Sequence, residues 1–354
     1  MLRPARVKIH KEALQHNVGI AKKHAPQSKV MVAVKANAYG HGMVQTAQAC
    51  EEVADGFMVA SLQEGVTLRQ KQISKPILAI QGFNSVDDMG RAIKYNIRCT
   101  IHDHTQLALF IENPQLVIGL KVAIKMDSGM HRLGFPPEQA IAHYQKIRPL
   151  VEKQEPVWLI SHLACADELE NNYTLVQQQC FEQATQSIDE QKSLANSAGV
   201  LGWKQTHYDW SRIGIMTYGS SPFHSKSAAS LGLQAAMTFE APLVAIHKLK
   251  KGDSIGYAQT WVCPEDMSVG VVACGYGDGY PRHASTGTPV SVNQQRTQLL
   301  GRVSMDVIVI DLRNITADVG DWVECWGKMI AVDEVAECAT TISYELLCAA
   351  GRRV

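Results

Sequence analysis

Two patterns of apolar residues alternate along the first two-thirds of the chain. Short uninterrupted apolar runs predict strands that are buried on both faces, as in a parallel sheet. Between these runs, apolar residues recur at every third or fourth position, which predicts amphipathic helices. The predicted strands are 29–35, 56–61, 76–81, 97–102, 118–125, 157–162, a segment around 193–196 and a segment around 212–217. The clearest helical spacings are Val44, Ala47, Cys50 and Ala54, then Val86, Met89 and Ile93, and then Val176, Cys180, Ala184 and Ile188.

Eight strand and helix repeats of this kind match the size of a (β/α)8 barrel, which needs about 200 residues or more. An open doubly wound sheet more often has about five to seven strands. From about Met237 the pattern changes to strands joined by turns, at 239–249, 269–274 and 307–312. We therefore predict an α/β fold: an N-terminal (β/α)8 TIM-type barrel over 1–231 and a C-terminal mostly-β domain over 232–354, linked within 227–233.

The charges of the chain balance, because 34 Lys and Arg residues face 34 Asp and Glu residues. No block of like charges appears, so the sequence offers no electrostatic footprint for nucleic acid or for an anionic membrane. With 46% hydrophobic residues in a chain of 354, large cores can be buried. We expect a small-molecule partner, and neither nucleic acid nor membrane.

Nine cysteines are scattered along the chain, and none belongs to a CxxC pair. This usage indicates reduced thiols in a cytosolic protein, and we predict no metal centre. Residues 1–10 lack the apolar core of a signal peptide, and no run of about 18 apolar residues could cross a bilayer. The expected location is the cytoplasm.

Lys35 follows the apolar run 30–34 and opens a small, polar, turn-prone segment that includes Tyr39. Active sites of parallel barrels lie at the carboxyl ends of the strands, where an amine is partly desolvated. Desolvation lowers the pKa of a lysine, and the free amine can then form a Schiff base with a carbonyl. The alternative is an ordinary surface lysine that happens to follow a strand.

Charged side chains also follow the fifth predicted strand. The segment 125–134 contains Lys125, Asp127 and Arg132. The guanidinium of Arg132 suits a substrate carboxylate, since it can donate two parallel hydrogen bonds. A salt-bridged surface turn is the alternative. After the sixth strand, His162 is either a satisfied core residue or an acid/base partner.

The loops after the seventh and eighth strands, 195–199 and 212–219, are rich in small residues. Their free backbone N–H groups could cradle an anion, and Ser197 adds a hydroxyl. Glycines also make ordinary turns, so each loop alone says little. Together with a lysine at a strand end, the two loops suggest a phosphorylated aldehyde cofactor.

These segments, in this order, resemble bacterial alanine racemases, which are fold-type III enzymes that use pyridoxal 5'-phosphate. The resemblance runs essentially from end to end. It rests on VKANAYGHG at 34–42, KMDSGMHRLG at 125–134, the segments 209–210 and 212–219, GY at 256–257, GYGDGY at 275–280, GRVSMD at 301–306 and ISY at 342–344.

The resemblance implies an isomerase that interconverts L-alanine and D-alanine and supplies D-alanine for peptidoglycan. Lys35 would hold the cofactor as an aldimine and act as one of two opposed acid/base groups, and Tyr257 would be the other. Two bases suit racemisation, because one proton leaves one face of Cα and another arrives on the opposite face. In the family this tyrosine comes from a partner subunit, so a homodimer with shared active sites is implied.

The resemblance also assigns cofactor contacts. Arg212 would hydrogen-bond the pyridine nitrogen and keep it unprotonated, and His162 would lie between Arg212 and Tyr257. The implied cofactor-binding residues are Lys35, Tyr39, His162, Ser197, Arg212, Gly214, Ile215 and Tyr344.

Substrate contacts follow in the same way. Arg132 and the backbone N–H of Met305 would bind the substrate carboxylate, and Lys125 matches a position that many relatives have as a carbamylated lysine. The implied entry gate consists of Tyr276, Arg282, Arg302 and Asp306.

Two positions depart from the family pattern. Ile213 stands where many relatives have proline, and Ser304 replaces a cysteine found in other branches. Neither is assigned to proton transfer, so they bear on fine geometry and substrate range. The alternatives are a broad-specificity or serine racemase of the same fold, an amino-acid decarboxylase of the same fold type, and a non-catalytic pyridoxal-phosphate carrier that resembles the barrel alone.

Overall fold

The computed structural model of the protein describes residues 5–351. After a first strand, β1 (Arg6–Ile9), eight parallel strands form the sheet that supports the candidate site. They are β2 (Lys29–Ala33), β3 (Gly56–Val59), β4 (Ile77–Ala79), β5 (Arg98–Ile101), β6 (Val122–Lys125), β7 (Trp158–Ile160), β8 (Lys192–Ser193) and β9 (Trp210–Ile213). Each strand pairs with the next from β2 to β8, and β2 also pairs with β9. The predicted (β/α)8 barrel is confirmed.

The seam between β8 and β9 is closed by individual hydrogen bonds. Ser193 Oγ donates to the carbonyl oxygen of Trp210 at 2.6 Å, and the Arg212 N–H donates to the carbonyl oxygen of Ala195 at 2.9 Å. The last strand ends earlier than the sequence pattern predicted. Gly214, with φ −122° and ψ −93°, leaves the extended conformation, and a 3-10 turn follows.

Right-handed helices connect the barrel strands. They are Lys11–His24, Met43–Cys50, Leu62–Gln70, Val86–Lys94, His104–Glu112, Pro114–Val117, Pro137–Ile147, Tyr173–Thr185 and Ser197–Gly202. Ser61, Ser85 and Asp103 each cap a helix, because their side chains accept the N–H of the third residue beyond.

The helix Tyr173–Thr185 buries a different face from the one that its apolar spacing suggested. Val176 is 53% exposed, whereas Gln177 is fully buried. The Gln177 side chain accepts the N–H of Ala164 at 2.8 Å and donates to the carbonyl oxygen of His162 at 3.1 Å. Because its polar atoms are satisfied there, glutamine can take a buried position that a pattern of apolar residues does not reveal.

The second sheet is antiparallel and closes on itself. Its strands are β10 (Met237–Leu249), β13 (Met267–Val272), β14 (Pro289–Val292), β15 (Gln295–Leu300), β16 (Ile308–Asp311) and β17 (Trp322–Trp326), with a separate hairpin of β11 (Ser254–Ile255) and β12 (Trp261–Val262). Since β10 pairs with both β13 and β17, six strands form a ring. The predicted mostly-β second part is confirmed.

The first strand of the chain joins this second sheet. Strand β1 pairs with β10, and the Arg6 and Lys8 side chains both reach Glu240 Oε1 at 2.6 Å. The sequence pattern did not predict this strand. The domain bounds 1–231 and 232–354 remain a prediction, and residues 1–4 and 352–354, with part of the N-terminal sequence behind the expected cytoplasmic location, lie outside the described residues.

Two C-terminal helices, Val332–Cys338 and Ser343–Ala349, return to the barrel. A Cβ atom at Gly40 would lie 2.1 Å from the carbonyl oxygen of Leu347, so the last helix packs directly on the segment after Lys35. No helix within residues 5–351 combines the length and apolar character that crossing a membrane requires. Over the same residues, no three His, Cys, Asp or Glu side chains are grouped to hold a metal ion.

Candidate active site

A cavity of about 340 Å³ lies at the carboxyl ends of the barrel strands. Its lining residues are Ala33, Lys35, Ala36, Tyr39, Met58, Arg132, His162, Asn196, Ser197, Arg212, Gly214, Ile215, Tyr344 and Cys348. Nine of the residues that the sequence singled out therefore meet in one place. Tyr344 and Cys348 come from the C-terminal helix, and the others come from strand ends and loops of the barrel.

A larger cavity of about 690 Å³ is lined by His10, Tyr218, Leu233, Trp326 and Asp333, among others. Among the described residues its one lysine, Lys328, follows β17 of the second sheet and not a barrel strand, and no arginine lines it. The smaller cavity holds a lysine, two arginines and a histidine, and clusters of such groups are typical of active sites. The chemistry therefore favours the smaller one.

Lys35 lies two residues beyond the end of β2, and its side chain lines the cavity. Burial lowers its pKa, the Arg132 and Arg212 cations lower it further, and Glu64 partly opposes them. A lower pKa leaves more of the side chain as free amine at neutral pH. Lys35 is thus suited to attack a carbonyl carbon.

The segment after Lys35, expected as a turn-prone loop, is a single left-handed turn. Ala36, Asn37, Ala38 and Tyr39 each have φ 53°. Left-handed conformation costs L-residues roughly 1–2 kcal/mol each, so other contacts must hold it. His41 Nδ1 donates to the carbonyl oxygens of Ala38 and Tyr39 at 3.2 and 3.0 Å, and burial lowers the pKa of His41 to about 4. A neutral, buried histidine therefore supports the end of the turn.

The Tyr39 side chain packs against two aromatic rings, and its hydroxyl lies close to Gly214. Its ring lies 4.7 Å from that of Tyr218 and 5.9 Å from that of Tyr344. A Cβ atom at Gly214 would come within 2.7 Å of the Tyr39 hydroxyl oxygen. Burial raises the pKa of Tyr39 to about 12, so the hydroxyl keeps its proton and can donate a hydrogen bond.

Ser197 joins the two loops that were expected to cradle an anion. Its buried Oγ accepts the N–H of Gly214 at 2.9 Å and that of Met216 at 3.4 Å. The hydroxyl hydrogen of Ser197 remains available to a ligand in the cavity. Asn196 shapes the same corner, because its side chain accepts the Gly199 N–H at 2.9 Å.

Arg212 is a buried, fixed cation. Its guanidinium donates to Ser193 Oγ and to the carbonyl oxygen of Ser161. Burial lowers its pKa to about 10, which still leaves it protonated at neutral pH. Burial, and then the Arg212 cation, hold the pKa of His162 well below its usual range, so His162 is neutral.

The loop after β6 divides its charged residues between two roles. Asp127 Oδ1 accepts the N–H groups of Gly129, Met130 and His131 at 2.9 to 3.0 Å, so this carboxylate shapes the loop. Arg132 instead lines the cavity. Lys125 is not among the lining residues, and burial, followed by the Arg212 and Arg132 cations, lowers its pKa to about 7.

The remaining predicted residues lie on loops of the second sheet and do not line this cavity. Tyr257 is 66% exposed, Met305 is 47% exposed, and Arg282, Arg302 and Asp306 are exposed as well. The Tyr276 N–H donates to the carbonyl oxygen of Ser304 at 3.1 Å, which joins two of these loops. One chain therefore presents two separate groups of predicted residues.

Sequence reasoning assigned no role to Glu64, Tyr218 or Cys348. A signal existed for Glu64, since Ser61-x-x-Glu64 after an apolar strand is a capping-box pattern, and the structure contains that box. Tyr218 lies inside a quoted segment, and its hydroxyl donates to the carbonyl oxygen of Ala33 at 2.6 Å. No pattern in the sequence indicated Cys348.

Comparison with known proteins gives consistent matches over both halves. Residues 9–222 match the family "Alanine racemase, N-terminal domain", and residues 236–354 match "Alanine racemase, C-terminal domain". An alanine racemase of Nitrosococcus oceani is 45% identical over 98% of this chain and 97% of its own. One of Vibrio cholerae is 44% identical over 98% and 96%.

Solved structures agree with this result. The biosynthetic alanine racemase of Pseudomonas aeruginosa is similar with a TM-score of 0.94 and 42% identity, covering 100% of this chain and 98% of that one. The alanine racemase of Acinetobacter baumannii has a TM-score of 0.94 and 37% identity, covering 99% and 98%.

Proposed function

The chain belongs to the alanine racemase family, and we propose that it interconverts L-alanine and D-alanine with pyridoxal 5'-phosphate bound to Lys35. The resemblance that the sequence motifs indicated is thus confirmed, and the family consists of isomerases that depend on this cofactor. One observation carries the proposal for this chain. Lys35, with a lowered pKa, lies at a barrel strand end in the same cavity as two arginines and a cluster of hydroxyl groups.

The cavity residues fit the cofactor. Tyr39, Ser197 and Tyr344 bring hydroxyl groups to the cavity, and a Cβ at Gly214 would fill space beside the Tyr39 hydroxyl. We assign these residues, with Ile215, to the phosphate, and Arg212 to the ring nitrogen. When bound, pyridoxal 5'-phosphate supplies an aldehyde for an amine and a ring that withdraws electrons from the substrate Cα.

Two groups would move protons at the substrate Cα. The Lys35 amine serves one face, and the Tyr257 phenol serves the other. Tyr257 does not line the Lys35 cavity of its own chain and is 66% exposed. We therefore assign it to the active site of a second copy, which makes the working enzyme a homodimer.

Substrate binding would also use residues from both copies of the chain. Arg132 lines the cavity beside Lys35, and its guanidinium would hold the substrate carboxylate together with the N–H of Met305 from the partner copy. The entry gate consists of the exposed loop residues Tyr276, Arg282, Arg302 and Asp306.

Lys125 is proposed to carry a carbamate. A pKa near 7 leaves much of this amine neutral, and only a neutral amine can react with carbon dioxide. The resulting negative charge would face the Arg132 and Arg212 cations, which lower the Lys125 pKa now. It would also orient Arg132 for the substrate.

The match to both family domains supports a racemase over a carrier that resembles the barrel alone. A broad-specificity or serine racemase would differ mainly in pocket volume. The proposed location is the cytoplasm, because nine scattered cysteines without a CxxC pair are typical of proteins in a reducing compartment. There the enzyme would supply D-alanine for peptidoglycan.

The decay of the circular dichroism of L-alanine tests the proposal. Purified, cofactor-loaded protein is added to L-alanine, with L-serine and L-lysine in parallel. Loss of the signal toward zero for alanine alone is the expected result. Loss for all three substrates would favour the broad-specificity alternative, and no loss with bound cofactor would favour a decarboxylase or a carrier.

A further inference from the structure

The carboxylate of Glu64, outside the cavity, accepts a hydrogen bond from the turn that follows Lys35. Glu64 Oε2 accepts the N–H groups of Ala60 and Ser61 at 2.7 and 3.0 Å, which completes the capping box of its helix. Glu64 Oε1 accepts the N–H of Ala36 at 3.1 Å. One side chain therefore joins the loop after β3 to the residue beside Lys35.

The Ala36 amide lies at the start of the left-handed turn. Its φ of 53° is a conformation that L-residues rarely adopt without support. A backbone bond also spans this start, since the Ala38 N–H donates to the carbonyl oxygen of Val34 at 2.9 Å. The other side-chain contacts act later in the turn, where the Asn37 side chain accepts the Met43 N–H at 3.0 Å and His41 supports the far end. Glu64 therefore supports the end of the turn that lies beside the reactive lysine.

We propose that Glu64 is a positioning residue for Lys35, which keeps the turn left-handed so that Lys35 and Tyr39 face the same cavity. The two residues are four positions apart, about one helical turn, so a uniform turn brings both side chains to one face. Glu64 does not line the cavity and acts through the backbone of Ala36. The inference rests on the proposed role of Lys35.

The charge of Glu64 adds a second effect on Lys35. The groups whose charge acts on the amine are Arg132, Arg212, Glu64 and Cys348, and the titratable His162, Tyr39 and Tyr344 line the same cavity. Glu64 is the one carboxylate in this set, and its negative charge raises the Lys35 pKa against the effects of burial and of the two arginines. Its removal should lower the Lys35 pKa further.

The test compares Glu64→Gln with Ser61→Ala in the full chain. A glutamine has one accepting oxygen, so it cannot serve both Ala36 and the capping box. Ser61→Ala removes the other half of that box, in which Ser61 Oγ accepts the Glu64 N–H at 3.2 Å, and spares the Ala36 contact. We expect kcat for alanine to fall about tenfold more in Glu64→Gln than in Ser61→Ala, because small misplacements of catalytic groups are costly.

A readout on the cofactor-free protein is independent of turnover. The Lys35 peptide is labelled with acetic anhydride across a pH series and quantified by mass spectrometry. The labelling midpoint should move to lower pH in Glu64→Gln and stay unchanged in Ser61→Ala. If the two variants match in kcat and in labelling midpoint, the inference is overturned.

A rescue variant addresses the conformation itself. Glycine takes positive φ without the penalty of a side chain, so Glu64→Gln/Ala36→Gly should recover about threefold or more of the lost kcat. No recovery would mean that Glu64 does not act through the turn. Failure of the wild-type protein to racemise alanine would overturn the proposed function, whereas an active wild type with an equally active Glu64→Gln overturns this inference alone.

Discussion

A Cβ atom on Gly214 would lie 2.7 Å from the hydroxyl oxygen of Tyr39, closer than real Cβ contacts allow. The Tyr39 ring has little room to retreat, because it stacks on Tyr218 with 4.7 Å between ring centroids. The absence of a side chain at position 214 is therefore a condition for the Tyr39 hydroxyl to stay where the proposed phosphate site needs it.

Gly214→Ala should weaken cofactor binding about tenfold, since overpacking of this kind costs about 1–3 kcal/mol. Affinity is measured by titrating the cofactor-free protein with pyridoxal 5'-phosphate. Gly90→Ala is the control, because a Cβ there meets nothing within 4 Å. Equal affinities in the two variants would exclude Gly214 from the cofactor site.

Lys35→Ala should lose the covalently held cofactor and the racemase activity together. Borohydride reduction of the loaded protein, followed by peptide mass spectrometry, locates the modified lysine. Lys23→Ala, an exposed change in the helix Lys11–His24, should remain modified at position 35. An adduct on another lysine in Lys35→Ala would show that the anchor was wrongly assigned.

Tyr257→Phe should keep the cofactor and lower turnover by about 10²-fold, as expected when a general acid/base group is removed. Turnover is followed from L-alanine and from D-alanine separately. Tyr95→Phe, which lies beyond the helix Val86–Lys94, serves as a control for the loss of a phenol. Normal rates in both directions would rule out the two-base assignment.

Mixing Lys35→Ala with Tyr257→Phe tests whether Tyr257 serves the partner copy. A mixed dimer would then contain one site with both groups intact, so random exchange should restore about one quarter of wild-type activity. If Tyr257 acted within its own chain, every site would lack one group and mixing would restore nothing. The two variants are unfolded and refolded together, and each is also refolded alone.

The fold was predictable where burial alone decides the residue type. The apolar runs that became β2 to β7 are enclosed on both faces, and runs of this kind are distinctive in a sequence. Strand β1 was missed because it has four residues that mix charged and apolar types, and its partner β10 lies far along the chain.

The site was predictable in its residues more than in its geometry. Lys35 and Arg132 were found from strand ends, but the left-handed turn was not, since four consecutive non-glycine residues with positive φ run against steric preference. Glu64 was missed because its contact with Ala36 spans 28 positions and depends on how two loops meet.

Lys125→Met should stabilise the fold at neutral pH by about 4 kcal/mol, because each pH unit between the folded and the unfolded pKa of the buried amine costs about 1.4 kcal/mol. Burial lowers the pKa of the Lys125 amine from 10.5 to about 7. Between these two pH values the amine is protonated in the unfolded chain and neutral in the folded chain. Wild-type stability therefore rises with pH across that window, and the advantage of the variant should shrink.

Urea unfolding in CO₂-free buffer, at several pH values between 6 and 10, measures the difference in the free energy of unfolding between the wild type and Lys125→Met. Both proteins contain Lys35, so its contribution to the pH dependence cancels. Bicarbonate should stabilise the wild type and not Lys125→Met if the carbamate forms. Curves that run parallel at every pH would contradict the lowered pKa of Lys125.

The pairing of β1 with β10 can form only late in the synthesis of the nascent chain. Arg6 and Glu240, which meet in that pairing, are 234 positions apart. At roughly 5–20 residues per second of synthesis, the first strand must wait on the order of ten seconds or more before its partner leaves the ribosome. During that interval the edges of β1 are unpaired, and unpaired strand edges are templates for aggregation until a partner covers them.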